Sequence, residues 1–159
     1  GHYIRSMYEK DLELIRTDYK RFALIVAEGL LFQNSPQHAR NFTGTADEIR
    51  ARILNKRNDP IAQGLIQGMV DITEEHMAAN YEYWSTMAGS DFRTVLPEID
   101  VPVLILYADP GSGYSPATAA YMKSQLPNAA LMPIYGCTHM AASENPMQWR
   151  GCIAAFAYS

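Results

Sequence analysis

Two short apolar runs constrain this chain more than any other feature: Pro102-Val-Leu-Ile-Leu-Tyr-Ala-Asp109 and Ala130-Leu-Met-Pro-Ile-Tyr135. Runs of this length that stop at a turn are what strands buried on both faces of a parallel sheet look like. Between them, residues 116–126 read as a helix, and residues 145–157 read as another. The second half of the chain is therefore a strand, helix, strand, helix unit. Asp109 falls just past the carboxyl end of the first strand, and His139, in Gly136-Cys-Thr-His139, follows the second. In open α/β sheets the crevice beyond the strand carboxyl ends is where ligands bind, so one acid and one imidazole are delivered to the working edge. A two-stranded parallel sheet is too small to stand alone, because parallel strands need cover on both faces and neighbours on both sides. The pattern predicts one end of a larger sheet whose other strands lie elsewhere.

The first half has a different periodicity. Ser6-Met-Tyr-Glu9 has the form of a capping box, and Leu12, Ile15, Tyr19, Phe22, Ile25 and Leu31 continue a helical apolar face, with a bend expected near Gly29 and a break at Ser35-Pro36. Thr45-Ala-Asp-Glu48 is a second capping box. Asp59-Pro60 starts a third helical region reaching about Met87, split near residues 71–73, since aspartate caps and proline is tolerated in the first turn. Asp91 begins a short helix that stops at Pro97. Residues 1–90 thus read as a helical domain and residues 91–159 as an α/β domain.

Composition narrows the function classes. The chain has 159 residues, enough for one ordinary domain with a real core. Its net charge is -4 with lysines and arginines scattered, which argues against a nucleic-acid or anionic-membrane surface. The longest apolar stretch is interrupted by Glu28 and is shorter than a membrane span. Two cysteines without metal-ligand spacing fit a reducing, cytoplasmic setting. His76 follows two glutamates, but no second histidine stands four residues away, so a zinc site is not expected; His38 reads as solvated.

With these residues in view, the segment from Asp91 to Phe156 resembles the C-terminal part of an α/β-hydrolase. The resemblance rests on Val101-Pro-Val-Leu-Ile-Leu, Asp109, Leu126-Pro-Asn-Ala-Ala-Leu, the Gly136-Cys-Thr-His139 turn, Glu144-Asn-Pro146 and the closing Ile153-Ala-Ala-Phe156. It implies an α/β fold in which residues 91–159 are the end of the core and residues 1–90 are the helical cap. It implies His139 as the catalytic base and Asp109 as the acid that orients it, with no cofactor and no metal. In this family the acid more often stands further along its loop, where this chain has Gly111. The family's nucleophile sits in Gly-x-Ser-x-Gly on a strand-to-helix turn, and no such elbow is found. Gly113-Tyr-Ser115-Pro-Ala117 follows a loop and suits a helix start better. The expected partner is therefore an N-terminal half of the same hydrolase, as a separate chain or cleaved precursor, that completes the sheet and brings the serine.

Each candidate has a competing structural explanation. A near-neutral imidazole can take and return a proton, yet His139 could equally be a loop histidine held by backbone groups. Asp109 could be a turn residue, since Asp-Pro sequences start turns. Cys137 lies too close to His139 on the same turn to be its nucleophile and reads as a small buried residue. Glu144 reads as a cap for the last helix. Tyr81, Tyr83, Trp84 and Met87 could line a pocket, but their spacing is that of helix packing. The leading expectation is a cofactor-free hydrolase of an ester, amide or related acyl bond in a small hydrophobic molecule, inactive as this chain alone. The alternatives are an aspartate-nucleophile dehalogenase or epoxide hydrolase, and a non-catalytic hydrolase-like receptor or binding protein.

Overall fold

A computed structural model describes residues 12–32, 44–71, 74–112 and 114–159. The Ser6–Glu9 capping box, the Ser35-Pro36 break and His38 lie outside these residues. Two compact units emerge among the described residues: 12–28 with 44–90, and 29–32 with 91–159.

The first unit is helical throughout. The predicted continuous opening helix is interrupted: residues 12–17 are helical, Asp18 is not, and helix α1 runs Tyr19–Leu31. The reason is local, because the Asp18 carboxylate accepts from the Arg21 backbone N–H at 3.2 Å and so acts as an N-cap in mid-pattern. Gly29 lies inside α1 without ending it. Helix α2, Ala46–Lys56, opens on the predicted capping box, with Thr45 Oγ1 accepting from Glu48 N and the Glu48 carboxylate accepting from Thr45 N. Helix α3, Pro60–Val70, opens on Asp59, whose side chain accepts from Ile61 N and Ala62 N. Helix α4 runs Glu74–Gly89, so the split falls where the sequence predicts it.

The core of this unit is built from α1, α2 and α3, with Leu24, Ile49, Ile53 and Ile66 fully enclosed. Glu28 is buried with them. It meets Arg52 through two parallel hydrogen bonds, Nε to Oε1 and Nη2 to Oε2, both 2.7 Å. Trp84 of α4 packs edge-on against Phe22, with ring centroids 5.9 Å apart, which makes it a packing residue, while Tyr83 is exposed.

In the second unit Asp91 does not open an α-helix. Its carboxylate instead holds Arg93, through the backbone N–H and the guanidinium, in a tight turn that leads into a 3-10 helix at Leu96–Glu98. Strand β1, Val103–Pro110, then pairs in parallel with β2, Ala129–Cys137, across helix α5, Pro116–Gln125. Val103 is opposite Ala129 and Asp109 opposite Tyr135, with a register shift between Asp109 and Pro110. The chain closes with a helical turn α6, Ala141–Glu144, absent from the sequence expectation, and helix α7, Pro146–Ala157.

The two sheet faces are covered separately. Ile105, Leu126 and Ala129 pack with Ala119 and Met122 of α5. Leu106 and Ala108 pack on the other face with Ile134, Ala141 and Trp149. Among the described residues no helix is long and apolar enough to cross a membrane.

Candidate active site at the carboxyl ends of the strands

Both strands are apolar until their last residues, so the first polar side chains the fold can spare emerge at one edge of the sheet. Asp109 is the penultimate residue of β1, within the strand rather than beyond it, and is half-buried. His139 follows β2 by two residues and is exposed.

The turn that carries His139 is fixed from three sides. Gly136 has φ +70°, a backbone conformation that side-chain-bearing residues rarely take. The Glu144 carboxylate accepts from Thr138 N at 2.7 Å and from Thr138 Oγ1 at 2.9 Å. Glu144 therefore clamps the histidine turn, and it is Asn145 that caps α7 by accepting from Gln148 N. The third tie is Ser112. Its buried hydroxyl donates to Leu30 O at 2.6 Å and accepts from His139 N at 2.8 Å. Nothing in the sequence distinguishes Ser112 from an ordinary loop serine, because both of its partners come from distant segments.

Among the described residues the imidazole makes no hydrogen bond, and the exposed Tyr114 ring stands by it, centroid to centroid 5.9 Å. Asp109 and His139 share an end of the sheet, but no hydrogen bond or ion pair joins them among the described residues. Gly111, at the family's more frequent acid position, has φ +71°, and a Cβ there would approach Ala108 O to 2.7 Å. No carboxylate can be accommodated at Gly111 without moving that backbone.

Cys137 is buried, and its thiol donates to Tyr135 O at 3.3 Å. Burial, with a smaller contribution from the Glu144 carboxylate, pushes its pKa up, the opposite of what a thiolate nucleophile needs. No cluster of metal-ligating side chains occurs among the described residues, His76 included. A cavity of about 570 Å³ runs alongside β1 and reaches Ser112, Tyr114 and His139 at its far end.

No protein-family model and no curated protein sequence matches this chain. Solved structures do. A hydrolase from Pseudomonas aeruginosa PA01 superposes with a TM-score of 0.71 over 98% of this chain and 51% of its own, at 14% identity. MGS-M2, an alpha/beta hydrolase enzyme from a Medee basin deep-sea metagenome library, superposes with a TM-score of 0.63 over 100% of this chain and 52% of its own, at 16% identity. The fold is a partial α/β-hydrolase fold. The chain spans about half the length of these two hydrolases, and among the described residues its sheet has two parallel strands. Within the hydrolase fold, the end of the sheet that bears Asp109 and His139 is the end at which ligands of open α/β sheets bind.

Proposed function

We propose that this chain is the histidine-bearing part of an α/β-fold hydrolase that cleaves an ester, amide or related acyl bond in a small hydrophobic molecule. His139 takes the proton of a serine nucleophile and returns it to the leaving group, steps that need an imidazole near neutrality. Asp109 is the acid this chain offers for holding the imidazole tautomer. The serine and most of the oxyanion hole come from a companion polypeptide carrying the N-terminal half of the fold. Residues 1–90 serve as the cap. Unpaired cysteines go with a cytoplasmic setting.

The observation that carries this reading is the treatment of His139. The buried Ser112 hydroxyl holds its backbone N–H and the half-buried Glu144 carboxylate holds the adjacent Thr138, while its ring stays exposed at a cavity mouth. A histidine serving only to complete the loop has no need of that support.

The test is hydrolysis of p-nitrophenyl acetate by the purified chain alone and by the chain with its co-purified companion. The chain alone is expected to be inactive. The pair should be active, and His139→Ala should lower its turnover by about 10⁴-fold or more. Asp109→Asn should lower it by a comparable factor if Asp109 is the acid. Turnover by the lone chain, or by the pair after loss of His139, rules the proposal out.

A further inference from the structure

Tyr114 carries a large aromatic ring that packs in neither cluster on the sheet. It stands directly before Ser115, the N-cap of α5, with Pro116 in the first turn. An apolar side chain at this position ordinarily folds onto the fourth residue of the helix and staples its start. That residue is Ala119, which is buried among Ile105, Leu126 and Ala129 without help from Tyr114. The Tyr114 side chain is instead 65% exposed, and its hydroxyl makes no hydrogen bond among the described residues. Phe92, Tyr121, Tyr135 and Tyr158 are exposed as well. Among the described residues, only Tyr114 makes a ring contact with His139, at 5.9 Å between centroids and a tilt of 38°.

The backbone under this ring is held on both sides. Gly111, at φ +71°, is packed against it, and a Cβ there would stand 3.2 Å from Tyr114 O. On the other side Pro116 keeps Ser115 extended, at φ -88° and ψ 157°. A tyrosine has few side-chain rotations to lose, so a ring anchored at its base and bare over most of its surface is a platform for another flat group. Distance says which part of a substrate it meets. When His139 acts as the acid, the imidazolium passes its proton to the leaving oxygen, the acyl C–O bond breaks, its electron pair stays on that oxygen and an alcohol departs. That oxygen must lie about 3 Å from an imidazole nitrogen. Tyr114, 5.9 Å from the imidazole centre, is then in reach of whatever the oxygen carries, since ring pairs attract at about 4.5 to 7 Å between centroids. No aspartate, glutamate, lysine or arginine among the described residues lines the cavity that both rings border, which favours an uncharged group.

We infer that Tyr114 is a specificity-determining residue that receives the leaving group and selects a flat, uncharged aromatic one. The preferred substrates are then aryl or arylmethyl esters, ahead of alkyl esters of the same size. This inference rests on the reading of His139 as the base and acid of the reaction proposed above.

The test has two arms. In the first, the chain with its co-purified companion is given benzyl acetate and cyclohexylmethyl acetate, whose leaving alcohols match in size and differ in flatness. kcat/KM should favour benzyl acetate by about threefold to tenfold, the range an aromatic pair adds beyond its area. Tyr114→Leu keeps an apolar side chain and removes the flat face, so it should erase that preference, whereas Tyr114→Phe should keep it. In the second arm, benzyl alcohol and cyclohexylmethanol are titrated into the isotope-labelled chain alone while the ring signals of His139 and Tyr114 are followed by NMR. Benzyl alcohol should shift both rings by about threefold more than cyclohexylmethanol does, and Tyr114→Leu should abolish that difference at His139. Equal kcat/KM for the two esters in the wild type, or a preference that survives Tyr114→Leu, overturns the proposal. Benzyl alcohol that shifts neither ring overturns it too, with no variant needed. If the pair cleaves neither ester, the hydrolase reading fails in the first arm, and the second still decides whether Tyr114 receives a flat group.

Discussion

The helical unit and the sheet unit of this molecule differ in how far each can complete itself. Helices satisfy their backbone within their own segment, leaving only the ends to be capped. The first unit caps them with Asp18, Thr45 and Asp59 and encloses Leu24, Ile49, Ile53 and Ile66 in a finished core. A strand's hydrogen bonds run sideways and need a neighbour. In the second unit no further strand borders β1 among the described residues, and its closing helix α7 has no buried residue at all, with Met147 at 77% exposed and Ile153 at 44%. A helical unit can thus close on itself, whereas a two-stranded sheet keeps backbone groups at its sides.

That contrast can be broken by mutation. Ile53 is wholly buried, so Ile53→Ala should cost about 3 to 4 kcal/mol in urea unfolding of the helical unit, a deletion in a closed core that collapses only in part. Arg52→Ala should cost about 3 kcal/mol, because it strands the buried Glu28 carboxylate, and Arg52→Lys should not restore the bidentate pair. If both losses fall below 1 kcal/mol, the helical unit is not the finished body described here.

Smaller effects sharpen the comparison. Glu144→Ala should cost about 2 kcal/mol, the usual value for charge-assisted hydrogen bonds, and should speed Thr138 amide exchange without altering α1 to α4. Asp59→Ala should cost about 1 kcal/mol as a lost N-cap. The Arg57 guanidinium holds the Asp59 carboxyl below its ordinary value of 3.8. Its contribution is thus present above that value and disappears as pH falls through the lowered one, so acid titration of the wild type should lose this increment and Asp59→Ala should not. At the bottom of the scale, Ile153→Ala on the exposed face of α7 should change stability by under about 0.5 kcal/mol in the isolated chain. A loss near that of Ile53→Ala would show α7 to be packed after all.

The sequence made local features legible and hid those that depend on distant partners. The capping box at Thr45 and the cap at Asp59 are written within four residues, and the two apolar runs announce β1 and β2 without outside help. The break at Asp18 was obscured because the apolar periodicity on both sides of it continues. The turn at Asp91 and Arg93 shows an aspartate used to grip a near neighbour where a helix start was expected. At the site, the sequence marks His139 and Asp109 by their place at the ends of the two apolar runs, although Asp109 turns out to lie within β1 and not beyond it. Ser112 was not, since its role is set by Leu30 and by the backbone of His139, and Glu144 was read as a helix cap because its six-residue reach back to Thr138 exists only once the turn is folded.

The hydroxyl of Ser112 binds chain positions separated by 82 residues on one side and 27 on the other. Closing such spans costs entropy that only near-complete assembly repays. The setting of the imidazole should accordingly be among the last events as the polypeptide matures, after the local helices have long been in place. A nascent or nicked molecule would then present well-formed helices and a histidine not yet seated.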